Sequence, residues 1–130
     1  MKVTSRERSG LLAMAELADR YGGGPIPLNQ VAEAQGVSLE YLEQIMPALR
    51  DAGLVYSTRG ARGGYQLCCA PAQITVGQVL YALDGEILPL DCIVEDATCD
   101  RSPTCSVRTV WQTIHDRIQE TLNSMTLADL

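Results

Sequence analysis

The sequence has no phenylalanine, a single tryptophan and a single histidine, and aromatic residues make up only 5% of its 130 positions. Any core must therefore be assembled from Leu, Ile, Val, Ala and Met. No apolar run approaches the roughly 20 residues needed to span a bilayer, and the opening MKVTSRERSG lacks the apolar stretch of a secretory signal. A membrane-spanning or exported protein is set aside on those grounds; a cytoplasmic location with no membrane partner is the expectation. An excess of positive charge is missing too. Ten Lys and Arg against sixteen Asp and Glu leave a formal net charge of −6, so composition alone offers no argument for a nucleic-acid partner. What is present, 46% hydrophobic and 20% charged residues, suits one globular domain long enough to close a core without covalent staples.

The charge is unevenly placed. Residues 1–70 balance seven basic against seven acidic side chains, whereas residues 71–130 carry three against nine. Between Glu43 and Asp84 the only acidic residue is Asp51, while Arg50, Arg59 and Arg62 all fall there. A locally basic face is thus available inside an acidic chain.

Periodicity predicts a mainly α protein with a small β-wing. Thr4-Ser5-Arg6-Glu7 reads as a capping box opening a first helix with Leu11, Met14, Ala15 and Ala18 inward, stopped at Gly22-Gly23-Gly24-Pro25. A short second helix spans about Leu28 to Gln35 and buries Leu28, Val31 and Ala32. Ser38 caps a third, whose apolar stripe is Leu42, Ile45, Met46 and Leu49, with a kink expected at Pro47. The period then changes to two: residues 54–59 and 65–68 predict paired strands around Gly60-Ala61-Arg62-Gly63-Gly64. Thr75 caps a fourth helix with Val76, Val79, Leu80 and Leu83 inward, residues 85–104 read as a loop, and a last helix runs from about Cys105 to Asn123. On that helix Val107, Trp111, Ile114 and Ile118 form a seam suited to packing on another helix. Residues 1–70 form the winged helix-turn-helix region and 71–130 the thiol-bearing loop and terminal helix, within one compact chain.

This order of elements can bind DNA, because a major groove about 12 Å wide admits one helix whose first turn points polar groups at base edges. Ser38, Glu40, Tyr41 and Gln44 lie opposite Leu42 and Ile45, and Arg59 and Arg62 flank glycines at the ribbon tip. A solvated helix face beside an ordinary hairpin is the competing interpretation.

Five cysteines in a chain without an export signal point to reducing surroundings, and an odd number cannot pair fully within one chain. Metal binding or redox chemistry thus comes ahead of a disulfide framework. Cys92, Cys99 and Cys105 are separated by six and five residues, unlike the tight pairs of zinc ribbons. Such spacing suits a larger cluster held from separated backbone points, or three unrelated loop thiols. Cys68 and Cys69, adjacent on a predicted strand, are expected to be buried small residues on opposite faces.

The run Ser38-Leu39-Glu40-Tyr41-Leu42-Glu43-Gln44, then Leu49-Arg50-x-x-Gly53-Leu54-Val55, then Arg59-Gly60-x-x-Gly63-Gly64-Tyr65 resembles the iron–sulfur-sensing winged-helix regulators of the IscR and NsrR type. So do Thr4-Ser5, Ile74-Thr75-Val76-Gly77 and the closing Leu122-Asn123-x-x-Thr126-Leu127-x-x-Leu130. The resemblance covers nearly the whole chain. It implies a homodimeric, non-enzymatic transcription regulator, crossing its terminal helices between subunits and binding a palindromic double-stranded DNA operator. Ser38, Tyr41 and Gln44 fall where the family reads base edges, Arg59 where its wing probes the minor groove, and Glu43 at an acidic position that screens sites. Thr4, Ser5, Glu40, Gly60 and Arg62 complete the expected DNA-facing set. The same resemblance assigns Cys92, Cys99 and Cys105 as thiolate ligands of an iron–sulfur cluster, with two irons rather than four.

One departure stands out. The family's usual histidine, three residues after the third cysteine, is here Arg108, which stays protonated and cannot ligate iron. In some relatives an N-terminal-helix carboxylate from the other subunit completes the site, which brings Glu7 into view, in competition with its local capping role. The implied function is a cluster-sensing repressor of iron–sulfur assembly or sulfur- and redox-stress genes. A nitric-oxide or thiol sensor without a stable two-iron cluster is the alternative. A cysteine redox enzyme, which would want a C-x-x-C or Cys/His pair, has no support in the sequence.

Overall fold

The computed structural model describes residues 3–85 and 107–130. Its elements are α1 (Ser5–Asp19), α2 (Leu28–Gln35), α3 (Leu39–Asp51), β1 (Val55–Thr58), β2 (Gly64–Leu67), a 3₁₀ turn at Pro71–Gln73, α4 (Val76–Asp84), α5 (Arg108–Ser124) and a closing 3₁₀ turn at Leu127–Asp129. The mainly helical architecture with a two-stranded antiparallel wing is as expected. The expected beginning of the last helix at Cys105, and Cys92, Cys99 and Cys105 themselves, lie outside the described residues.

The core forms where α1, α2 and α3 meet α4. All four stripe residues of α3, Leu42, Ile45, Met46 and Leu49, have 0% exposure, as three- and four-residue spacing on one helix face requires. Ser38 Oγ accepts the Tyr41 N–H at 3.3 Å and starts this helix. The helix runs without interruption through Pro47. It ends with the Gly53 N–H on the Arg50 carbonyl and the Leu54 N–H on the Leu49 carbonyl, a pairing that satisfies two orphan carbonyls and turns the chain into β1.

On α1 the inward face differs from the expected one. Ala13, Met14 and Leu17 are buried, together with Ser9 and Gly10, while Leu11, Ala15 and Ala18 are only half-buried. The reason is close packing: Gly10 faces Leu83 of α4 so tightly that a Cβ would overlap its side chain. Leu80 of α4, expected inward, is half-buried and lines a surface groove instead.

The wing is tied to the helices by a bridge that no periodicity announces. Ile26 and Tyr65 exchange backbone hydrogen bonds, both at 2.9 Å, so the segment before α2 pairs with β2. Next to it, Gly64 approaches the Ile26 carbonyl at φ 151°, and a Cβ there would overlap that carbonyl. The strands pair Val55 with Leu67 and Thr58 with Gly64; β1 is shorter than predicted, and β2 has the predicted length but begins one residue earlier, at Gly64, and stops before Cys68.

The C-terminus returns to the domain. Val76 donates to the Met125 carbonyl at 2.9 Å and Leu127 to the Ile74 carbonyl at 3.0 Å, and Gly77 sits against Leu122 and Asn123 where a side chain would clash. Thr75 makes a complete capping box with Gln78 at the start of α4. Replacing Gly64 by Ala should lower stability by roughly 1–3 kcal/mol, the usual scale for backbone strain of this kind. Chemical denaturation checks this, with Ala61→Ser at the exposed wing tip as a control expected to have little effect.

Candidate nucleic-acid interface

Because the apolar side of α3 is consumed by the core, its opposite side is fixed toward solvent. Glu40, Glu43 and Gln44 are exposed, spaced by three and four residues and therefore on one face. Ser38 is exposed at the helix start, with its hydroxyl already accepting the Tyr41 amide. Tyr41 is half-buried and its ring packs against the core, so only its outer part is available to a ligand.

The wing presents Arg59, Gly60, Ala61 and Arg62 at the exposed tip. Gly60 adopts φ 111° and its carbonyl accepts the Gly63 N–H at 3.0 Å. This closes the turn and holds the two arginines outward. By the Ile26–Tyr65 bridge the tip is held in register with α2 and hence with the exposed face of α3.

The N-terminal residues are engaged differently. Thr4 Oγ1 accepts the Glu7 N–H at 3.1 Å and donates in turn to the Asp84 carboxylate at the end of α4. Arg6 Nε lies 3.2 Å from the Leu83 carbonyl and 3.3 Å from Asp84 Oδ1. The beginning of α1 is thereby fastened to the last turn of α4, where a cation also complements the helix carboxyl end. Ser5 is exposed. Asp84 carries no pattern signal, which is why its part in this junction was invisible in the sequence.

Glu7 sits at the same junction with only 8% of its surface exposed. Desolvation raises its carboxyl above the usual range; the Thr4 backbone N–H opposes that shift, while the neighbouring Asp84 reinforces it. Glu7 also borders a groove of about 480 Å³ between α1 and α4, walled by Leu11, Leu12, Ala15 and Leu80.

On α5 no described residue is fully buried, and Val107, Val110, Trp111 and Ile114 are exposed, Trp111 by 43%. Ile118 is half-buried, closer to the part of the helix that packs on α4. An apolar stripe left open by the described residues is the feature a helix needs in order to pack on a second chain.

Comparison with known proteins agrees with this layout. The family model described as Rrf2, an iron-dependent transcriptional regulator, matches residues 3–130. The chain belongs to the Rrf2 family. Protein rrf2 of Nitratidesulfovibrio vulgaris (strain Hildenborough) is 39% identical over 130 residues, which is 100% of this chain and 87% of that protein. The structure of CymR, described as the global cysteine regulator of B. subtilis, aligns with TM-score 0.81 at 40% identity, covering 99% of this chain and 95% of that one. That of T. potens IscR aligns with TM-score 0.80 at 40% identity, covering 99% and 85%. This Rrf2-family chain is a winged-helix transcription regulator that binds DNA and acts as a dimer, and not an enzyme. Among its described residues no helix is long and apolar enough to cross a membrane.

The raised Glu7 carboxyl gives a signed prediction. The folded protein holds this proton more tightly than the unfolded chain does, so ionisation costs stability. The cost is absent below the ordinary carboxylate range and fully developed above the raised folded value. Glu7→Gln, which keeps an acceptor at the cap without the charge, should therefore melt at a higher temperature than the wild type at pH 7. The difference should shrink as the pH falls to about 4, near the unperturbed glutamate value. Thermal melts across that range measure it.

Proposed function

We propose that this protein is a cytoplasmic iron–sulfur-cluster-sensing repressor of iron–sulfur assembly or sulfur-stress genes. The observation that supports it is where the thiol-bearing segment attaches. Residues 86–106, with Cys92, Cys99 and Cys105, join Gly85 to Val107. Gly85 directly follows Asp84, which Thr4 and Arg6 tie to the start of α1. A change in that segment thus reaches the DNA-binding half through one helix end.

The donor set fits such a cluster in part. Three thiolates supply three protein ligands of the kind iron–sulfur clusters use. Arg108 is a donor only and cannot be the fourth. The Glu7 carboxylate of the partner subunit is the candidate oxygen ligand there, in competition with its own role at the Thr4 cap; oxygen is a harder ligand, held less firmly by iron than thiolate. When bound, the cluster, in our reading [2Fe–2S], would supply sensitivity to iron supply and to oxidants.

The residues of the reading head divide the DNA work. Ser38, Tyr41 and Gln44, with Glu40 beside them, meet base edges in the major groove. Glu43 accepts from a cytosine amine or repels a wrong site. Arg59, with Gly60 and Arg62, follows the minor groove and phosphates, and Thr4 and Ser5 lie at the backbone. Val107, Trp111, Ile114 and Ile118 pack against the partner, so that two heads meet a palindromic operator.

A second reading has a specific observation in its favour. The chain is as similar to CymR, described as a global cysteine regulator, as it is to IscR. On that reading the protein is a repressor responding to thiol metabolism through the same DNA face without a cluster.

Anaerobic purification followed by an absorption spectrum separates the two. Visible sulfur-to-iron bands that disappear in Cys92→Ser are expected for the cluster sensor; a colourless anaerobic protein with full operator affinity selects the second reading. For the DNA face, Arg59→Ala should cost about 1–3 kcal/mol of specific binding without altering the dimer. Anisotropy titrations at fixed salt check it, and unchanged affinity would remove the wing from operator recognition.

A further inference from the structure

Cys68 and Cys69 do not behave as the strand pattern requires. β2 ends at Leu67, so the alternation of side chains stops one residue before the pair. Cys68 is exposed and Cys69 half-buried, and their sulfurs lie on the same side of the chain, 3.0 Å apart. The backbone beneath them is held: the Cys68 N–H donates to the Leu54 carbonyl at 3.0 Å, and Cys69 packs against the core. This is a preformed vicinal dithiol at the base of the wing.

We propose that Cys68 and Cys69 form a bidentate site for a trivalent thiophilic metalloid of the arsenite class. Three arguments select that ligand. Adjacent Cα atoms are about 3.8 Å apart across a trans peptide. That is shorter than the roughly 4.4–6.8 Å a disulfide normally spans, so a direct sulfur–sulfur bond would be strained, whereas an atom inserted between the sulfurs relieves the constraint. Zinc and similar ions want about four ligands, and among the described residues no group of three or more His, Cys, Asp or Glu side chains is positioned to hold a metal. A pyramidal trivalent centre needs only two thiolates, its third position keeping a hydroxide or organic group, and its narrow bond angle matches two sulfurs already close together. Linear two-coordinate soft metals would drive them apart.

Cys68 also has the wrong character for a peroxide sensor. Desolvation of the sulfur, with Cys69 adding its hydrogen bond and charge, pushes the Cys68 thiol up to about 11. At neutral pH it is a protonated, weak nucleophile. Chelation proceeds from neutral thiols without oxidation. For arsenous acid, two arsenic–oxygen bonds break and two sulfur–arsenic bonds form. Each thiol proton leaves with a hydroxide as water, and arsenic stays trivalent.

Occupancy at this point would be felt at Leu54 and Leu67, where the wing joins the core. Any consequence for operator binding rests on the DNA-binding role of the wing; formation of the adduct does not.

The test uses the full chain, reduced and treated with phenylarsine oxide in the presence of excess monothiol, which strips arsenic from single thiols but not from a chelating pair. Cleavage before aspartate separates residues 51–83, containing only Cys68 and Cys69, from the other three cysteines. Mass spectrometry should find one phenylarsenic group on the 51–83 peptide, removed by a dithiol and absent in Cys68→Ser. Because Cys68 is exposed, that variant should melt like the wild type. An unmodified 51–83 peptide in the wild type, or a modified one in Cys68→Ser, overturns the proposal. Since the readout is mass alone, a failure here is distinct from a failure to bind DNA.

Discussion

Burial of one side of α3 is the constraint on which the rest of the molecule depends. Leu42, Ile45, Met46 and Leu49 are each completely inaccessible. At about 25 cal/mol for each Å² of apolar surface removed from water, every such side chain contributes on the order of 1.5–3 kcal/mol. Turning α3 by even one residue would withdraw several of them at once. The exposed Glu40, Glu43 and Gln44 are therefore not merely polar residues on a surface. Their direction is set by that packing, and on the proposed function a side chain that meets a base edge needs such fixity. The half-buried Tyr41 lies at the boundary, with one side held by the core.

The second constraint is the Ile26–Tyr65 bridge. A two-stranded ribbon is marginal in isolation, and β1 and β2 have only four residues each. The reciprocal hydrogen bonds to Ile26 add a third backbone segment, and Leu54, Val55 and Leu67 anchor the ribbon in the core. Arg59 and Arg62 thereby sit on a lever whose base is fixed to the same helices that aim α3. The requirement for glycine at position 64 follows from that junction, because the Ile26 carbonyl occupies the space of a side chain.

The sequence disclosed these features unequally, for physical reasons. The α3 stripe was fully legible because four large apolar residues repeat at helical spacing, and the caps at Thr4, Ser38 and Thr75 were legible because their signal is local. The inward face of α1 was not. Its contact side is Ser9, Gly10 and Ala13 beside Met14 and Leu17, and small residues that allow close approach have no hydrophobic signature, whereas Leu11 and Ala15 advertise a face that lines a groove. Long-range pairs such as Ile26–Tyr65 and Thr4–Asp84 have no period to betray them. Cys68 and Cys69 were misjudged because alternation holds only inside a strand, and β2 ends one residue too soon. At the candidate site, the exposed positions of α3 and the wing tip were readable as the complement of the core, while the Asp84 junction was not.

On the proposed function, the polar contacts of that junction have a strength suited to regulation. The Arg6–Asp84 ion pair is partly exposed, and pairs of that kind contribute about 0–1 kcal/mol. The Thr4–Asp84 hydrogen bond adds something on the order of 1 kcal/mol. Opposing them, the buried Glu7 carboxyl is held beside the same aspartate at a cost in its ionised form. The polar part of the tie between the start of α1 and the end of α4 is thus small, comparable to the roughly 1–3 kcal/mol that changes an affinity by about 5–150-fold through allosteric coupling. On the proposed function, the balance of charges around Asp84, rather than the large hydrophobic core, is where a change at Cys92, Cys99 and Cys105 is converted into a change in the set of α1, and through it in the reading head. The core keeps α3 correctly aimed in both states.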